Sequence, residues 1–333
     1  MSQLPLRALS RLLARRDVGI LLLIAVTTAI VGFVDLRFIS LDVWLGILIR
    51  SAPTMIVACG VMAVVLTGEI DISSGSLMAL LAAVMGLLIS QSKAALSLWI
   101  GIPAVLAFGT AIGTGTGLLV TYGRVPSLVA TLGLMTALRG LTTIVMGGKN
   151  IDGLPHVLQD AAKRGWFGVP VSVWVATLVV VMTSLLFYQM PLGRRIYASG
   201  SSPASARAAG LHTQRIQVFT FAWAGFLTAV ATLVDVPRLP WIESGIGSDL
   251  ELLVITCVVV GGVSISGGRG ELSSVLAAVV LMTMIRPVLT FLDVGEMGEK
   301  WTRAIQGLFI LLAVVADQIS IRFRWRKSQK VRG

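Results

Sequence analysis

Two acidic residues, Glu69 and Asp71, lie in the stretch Gly68-Glu-Ile-Asp-Ile-Ser-Ser-Gly-Ser76, between two long apolar runs. Ionisable groups are costly at membrane depth unless they face a cavity or a partner. Glycines at 68 and 75 permit a turn or close backbone approach there. Two roles fit the stretch. Gly68, Asp71, Ser73, Gly75 and Ser76 line a pathway or gate in a broken segment, or they form a turn in which Ser73 caps the next helix. A second set lies in the basic loop Pro191-Leu-Gly-Arg-Arg-Ile-Tyr-Ala-Ser-Gly200 through Gly210. Ser202-Pro203 reads as a helix start, with a hydroxyl cap followed by proline in the first turn. Ala204 to Ala209 then form a short helix, and Gly210 stops it. A capped helix of small residues on a loop is suited to docking in a partner's groove, although arginines alone need only a solvated loop. Two isolated arginines complete the inventory. Arg139 reads as a polar contact in a cavity or as a snorkelling side chain, and Arg286, next to Pro287, fits the second role better.

Other chemistry is absent from the chain. It contains no Gly-x-x-x-x-Gly-Lys-(Ser/Thr) and no His-Glu-x-x-His, and its two histidines, His156 and His212, fall in loops. No metal set, cofactor site or nucleophile–base pair is expected, so no catalytic residue is assigned. Cys59 and Cys257 lie inside apolar runs and read as small buried hydrophobes.

The elements that position these residues follow from composition. Of 333 residues, 56% are hydrophobic and 13% charged, against about 25% charged in soluble domains. Mean hydropathy is +0.89. Leu21 to Phe33 and Trp166 to Gly193 carry no charge. Continuous apolar blocks point to helices rather than alternating barrel strands. The expected fold is all-α, a polytopic membrane protein with about ten spans. These are Val18–Ile39, Trp44–Leu66 broken at Pro53, Ser76–Ser90, Ala95–Val120, Pro126–Met146, Pro170–Met190, Gln217–Val236, Leu250–Ile265, Leu272–Leu292 and Thr302–Ile319. All belong to one transmembrane domain covering 1–333. It carries a basic tail over 1–17, a loop over 191–216 and a second basic tail over 320–333.

Charge sets the expected orientation. The net charge is +11, but the positives gather at span ends and in short loops without an aromatic-interleaved stripe. That pattern speaks for the positive-inside rule and against nucleic acid. Arginines 124, 194, 195, 207, 215 and 269 share a side with both tails, and Asp152, Asp160, Glu243, Asp249, Asp293, Glu296 and Glu299 collect opposite. Both termini are therefore expected in the cytoplasm of a bacterial inner membrane. An internal repeat is also expected. Gly68 to Gly75 and Gly261 to Gly268 share the frame Gly-x-(Ile/Val)-x-Ile-Ser-x-Gly, which sets Ser266 and Gly268 opposite Ser73 and Gly75.

At these residues the chain resembles the permease subunits of bacterial ATP-binding-cassette importers of the ribose type, within the branched-chain amino acid/ribose permease family. The resemblance is carried by Gly68 to Ser76, then Val125-Pro-Ser-Leu-Val-Ala-Thr-Leu-Gly133 with Arg139-Gly140. Leu192 to Gly200 follows, with Ala204, Ala206-Arg207 and Gly210-Leu211, and last Val260 to Gly268. Glu69 stands where this family most often has glycine, and Ser74 where valine or phenylalanine is common. Arg269 and Glu271 replace small residues. The resemblance implies that a cytosolic ATPase subunit docks on Gly193, Arg194, Gly200, Ser202, Ala204, Ala206, Arg207, Gly210 and Leu211. It also implies a second permease, identical or similar, and a periplasmic sugar-binding protein. The cargo would be a monosaccharide or similar small polyol or furanosyl compound, of the ribose, rhamnose, xylose or autoinducer-2 class. The chain would itself hydrolyse nothing. Other classes would read the same residues differently. An ion-coupled secondary carrier would use Glu69 and Asp71 as its coupling pair, a branched-chain amino acid permease would share the architecture, and an intramembrane enzyme would lack a catalytic set.

Overall fold

The computed structural model describes residues 16–163, 165–166, 168–294, 298, 300–309, 311–312 and 315. The two basic tails, apart from Arg16 and Asp17, and the far part of the expected tenth span lie outside the described residues. The chain forms helices α1 (Arg16–Val34), α2 (Leu41–Leu66), α3 (Ser74–Ile89), α4 (Leu98–Thr121), α5 (Ser127–Met146) and α6 (His156–Lys163). They are followed by α7 (Val171–Ser184), α8 (Pro191–Ser201), α9 (Pro203–Ala208), α10 (Thr213–Asp235), α11 (Leu250–Val260) and α12 (Leu272–Phe291). The one sheet among the described residues is a two-residue antiparallel ladder, β1 (Gly165–Trp166) with β2 (Val169–Pro170). Among the described residues seven helical segments are long and apolar enough to cross a membrane, and α3 and α11 are shorter apolar helices. The protein is thus a helical, polytopic membrane protein.

Four local readings change on folding. Helix α2 runs unbroken through Pro53. The eighth apolar run is helical only to Val260, where Gly262, Gly267 and Gly268 take positive φ. The loop over 191–216 is two helices, α8 and α9, and the start of α10. Ser73 makes no cap bond with α3.

The chain divides into two compact units. One takes in the described residues up to Ile47, Thr256–Ser264 and those from Gly270 onward. In it α1 packs on α12, and Phe38 meets Phe291 edge to face at 5.3 Å. Half-buried Asp35, just past α1, caps the short turn Leu36–Ile39 by accepting from the Arg37 N–H at 2.8 Å, and it pairs with the Arg37 guanidinium at 2.7 Å.

The other unit comprises Leu48–Ile255 and Ile265–Arg269. Its centre is α3, where thirteen residues are fully enclosed. Helix α3 packs on α4, α5 and α10. A helix buried on every side must be apolar all round, which explains a run such as Leu77-Met-Ala-Leu-Leu-Ala-Ala83. The outer helices instead expose apolar side chains, with Trp99 on α4 at 90% and Ile144 on α5 at 76%. Lipid, not water, suits such a surface.

Helices α4 and α10 approach through glycine. A side chain at Gly113 would strike the Phe221 carbonyl, and one at Gly225 the Gly109 carbonyl. Small residues let backbones meet in lipid, where packing and not water expulsion drives association. Gly113→Leu is therefore expected to destabilise the fold by about 1–3 kcal/mol. A fall of several degrees in the thermal midpoint, followed by size exclusion in detergent, would register this. Gly115→Leu, two residues along with open space around it, should leave the midpoint in place. Equal behaviour of the two variants would sink the packing argument.

Candidate functional site

Residues 67–73 carry no helix, so their backbone groups need other partners at membrane depth. The side chains of α5 and of the segment itself supply them. The Ile70 N–H donates to Ser127 Oγ at 3.2 Å, and Thr131 Oγ1 donates to the Ile70 carbonyl at 3.3 Å. Asp71 is buried, and its Oδ1 accepts from the Ser73 N–H at 2.8 Å and the Ser73 hydroxyl at 2.6 Å. The cap expected of Ser73 is therefore replaced by a turn held by Asp71. Glu69 accepts from Gln217 Nε2 of α10 at 2.8 Å. Both acids of the segment thus have partners inside the chain.

Where α3 begins, the packing tightens. A side chain at Gly75 would occupy the place of the Glu251 carboxylate and meet the Gly247 carbonyl. Eleven residues further along, Gly86 touches Ile242 and Ile151. These two isoleucines exchange backbone hydrogen bonds of 2.9 and 2.7 Å. Eleven helical residues rise about 16 Å. The stretch from Ile242 to Gly247 links the two places and turns within residues 244–249. Arg139 Nη1, from α5, holds this descending stretch by donating to the carbonyls of Ser244 (3.1 Å) and Ile246 (2.8 Å). Of its two expected roles, Arg139 takes the polar contact. Arg286, on α12, is exposed.

Glu251 is enclosed, 8% exposed, and its Oε2 has no hydrogen-bond partner among the described residues. The hydroxyls of Ser74 and Ser76, either side of Gly75, are likewise buried without a partner. Sequence reading missed Glu251, which looks like one more acid at a span end. The available signal was its place inside the helix, one residue past Leu250 and followed by seventeen uncharged residues.

The opposite end of the segment meets the 191–216 region. Ser202 Oγ accepts from the Ser205 N–H at 3.3 Å, Pro203 occupies the first turn of α9, and Gly210 closes it at φ +81°. Ala206 is buried, while Arg194, Ala204 and Arg207 are exposed. Leu211 donates its N–H to the Ala206 carbonyl at 3.0 Å. Gly193 lies against the carbonyls of Leu186 and Phe187 at the end of the preceding helix. At the far end of α8, Gly200 abuts the Leu66 carbonyl and the Gly268 N–H. That N–H donates to Leu66 O at 2.8 Å, and Ser201 Oγ donates to Gly268 O at 3.2 Å. Gly68 faces the Ser266 carbonyl. Residues expected in the pathway and residues expected to dock a partner therefore share a junction of Leu66, Gly68, Gly200, Ser266 and Gly268. Beside it is a recess of about 340 Å³, whose lining includes Glu69, Arg124, Ser127, Arg207, Gln214 and Gln217.

Among the described residues no group of acidic, histidine and cysteine side chains is placed to hold a metal. Cys59 and Cys257 are buried and free. The arrangement is one of backbone contacts and a few enclosed polar groups.

A family profile described as the permease component of the branched-chain amino acid transport system covers residues 43–314. A ribose import permease of Haemophilus influenzae is 34% identical over 293 residues, spanning 87% of this chain and 89% of its own. A ribose import permease of Escherichia coli K12 is 32% identical, spanning 89% and 92%. An autoinducer 2 import system permease of Yersinia enterocolitica is 32% identical, spanning 91% and 82%. No solved structure gives a significant match.

Proposed function

Because this chain belongs to the family of branched-chain amino acid transport system permease components, we propose that it is the membrane permease of an ATP-driven importer. Its cargo is a monosaccharide or a similar small polyol or furanosyl compound. The relatives named for ribose and autoinducer 2 support the cargo class, since each is matched along most of its length. An ATPase subunit in the cytosol supplies the energy and a periplasmic binding protein delivers the sugar. A second permease, identical or sister, completes the pathway. Both termini face the cytoplasm, about ten spans cross the inner membrane, and Gly68–Gly75 and Gly261–Gly268 are the equivalent halves of an internal repeat.

One observation carries the mechanism. The capped helix α9 continues from α8, and the end of α8 lies against Leu66 and Gly268. The ATPase docks on Gly193, Arg194, Gly200, Ser202, Ala204, Ala206, Arg207, Gly210 and Leu211. A shift of α8 and α9 as the ATPase dimer closes is passed at Gly200 to the segment beginning at Gly68. Asp71, Ser73, Gly75, Ser76, Arg139, Ser266 and Gly268 form the gate that this segment moves. Glu69 and Asp71 are occupied by Gln217 and Ser73, which suits a chain driven by an external ATPase better than an ion-coupled carrier.

The test is purification of the chain in detergent, with its neighbours expressed, and an ATPase assay on what accompanies it. An ATP-hydrolysing subunit should be retained, and Arg207→Glu, at an exposed position of α9, should release most of it, at least tenfold, without changing insertion. A chain that purifies alone and moves solute down an ion gradient in liposomes would overturn the reading.

A further inference from the structure

We propose that the recess between the starts of α8 and α10 holds the headgroup of an anionic phospholipid from the cytoplasmic leaflet. The inference goes beyond the importer reading and takes from it only that this end of the helices faces the cytoplasm. Residues three or four apart on a helix share a face. On α8 that spacing pairs Leu192 with Arg195, and at the start of α10 it aligns His212, Arg215, Ile216 and Phe219. Joined by Gly210 and Leu211, the two faces line a recess of about 360 Å³. Small-molecule sites occupy roughly 300–1,000 Å³. The lining is sorted by depth. Ile216 is buried and Leu192, Leu211 and Phe219 are half-buried, whereas Arg195, His212 and Arg215 are exposed. The result is an apolar floor beneath a basic rim. Among the described residues no acidic side chain lines it, and neither guanidinium has a hydrogen bond or an ion pair.

Two planar guanidiniums on one recess suit a phosphate, whose oxygens accept paired N–H donors. A soluble phosphate would answer the rim and leave the apolar floor in water. A neutral sugar would leave both charges unanswered. A phospholipid answers both, with its phosphate on Arg195 and Arg215 and the first carbons of its chains on Ile216 and Phe219. The recess beside Gly68 also holds two arginines, Arg124 and Arg207, but Glu69 lines it too and makes it a poorer anion site. The depth fits a lipid. Leu185, Tyr188 and Met190, just before α8, are exposed, as lipid-facing side chains are, and tyrosine is common at the membrane–water boundary. Leu192 begins the recess two residues on, at the level of the headgroups. Basic pockets between helices on the cytoplasmic side are the usual holders of such headgroups. Arg195 and Arg215 lie outside the surface proposed to dock the ATPase. Gly210 and Leu211 belong to both, so a lipid seated here would border that contact.

The experiment is native mass spectrometry of the full chain, purified in a neutral detergent and titrated with dioleoyl phosphatidylglycerol or dioleoyl phosphatidylcholine. The wild type should hold its first phosphatidylglycerol at least tenfold more tightly than phosphatidylcholine. Arg195→Gln and Arg215→Gln should each weaken phosphatidylglycerol at least fivefold. Arg124→Gln, which removes the same charge beside the other recess, should stay within twofold of wild type. Equal weakening in all three variants reduces the effect to overall charge and overturns the site, as does a wild type without lipid preference. Displacement of the lipid by millimolar inorganic phosphate gives the recess to a soluble anion and overturns it as well. Loss of the co-purified ATPase from Arg195→Gln and Arg215→Gln, with phosphatidylglycerol bound as in wild type, gives the recess to that subunit, with the same consequence. Should one of the two variants fail to insert, the other decides. A chain that shows the expected lipid pattern but retains no ATPase overturns the importer reading and leaves this site standing.

Discussion

Gly200→Val is expected to reduce sugar uptake about 100-fold while the chain remains inserted and keeps its ATPase through the other docking residues, since Gly200 itself is buried. The added side chain has nowhere to go. Even a single carbon at position 200 would strike the Leu66 carbonyl and the Gly268 N–H. Those two atoms already bond to each other at 2.8 Å, so neither can retreat without breaking that bond. Forcing bulk into such a contact costs about 1–3 kcal/mol, which is up to about 100-fold in an equilibrium that the contact controls. The helix bearing Gly200 is otherwise anchored elsewhere, through buried Gly193 and Ile196. Displacement should therefore fall on the junction and spare the docking face of α9. ATP hydrolysis that continues without uptake is the expected signature in proteoliposomes. Normal uptake would show that α8 and the Gly68 segment move independently.

Much of this arrangement was legible in the residues. Long uncharged runs placed the helices, because a lipid environment leaves the backbone few alternatives. The Ser202-Pro203 pair and Gly210 defined α9 because capping chemistry is local. The tertiary partners were not legible. Ser73 looks like a cap in isolation, yet Asp71 two residues earlier competes for it and wins both of its donors. Pro53 looks like a break, but at this position α2 continues through it. Gly200 and Gly268 stand 68 positions apart, and no periodicity links them. Only the folded chain shows that the two glycine-rich frames and the 191–216 region meet. Glu251 was hidden for a related reason. Its meaning depends on Gly75, on a different helix, and a single acid near a span end carries no pattern of its own.

The second large effect is expected at Arg139. Arg139→Met should lower uptake about 100-fold and also depress the thermal midpoint, in contrast to Gly200→Val. Two carbonyls, those of Ser244 and Ile246, depend on Arg139 Nη1. Methionine keeps most of the volume but offers no donor. Each carbonyl left unpaired in an enclosed place costs about 1–3 kcal/mol, and both lie on the stretch that descends to Gly247. Losing them frees that stretch from α5, so Gly247 no longer presses on Gly75 in register, and the gate proposed to include Gly75 is misaligned. Arg139→Lys should recover only part of the loss, since one ammonium group on a flexible stem does not reproduce the planar fork. Arg286→Met on α12, where the side chain is exposed, is the matched control and should transport within twofold of wild type. If Arg139→Met and Arg286→Met behave alike in both assays, the Ser244–Ile246 stretch is held by something other than the guanidinium, and Arg139 has no part in the proposed gate.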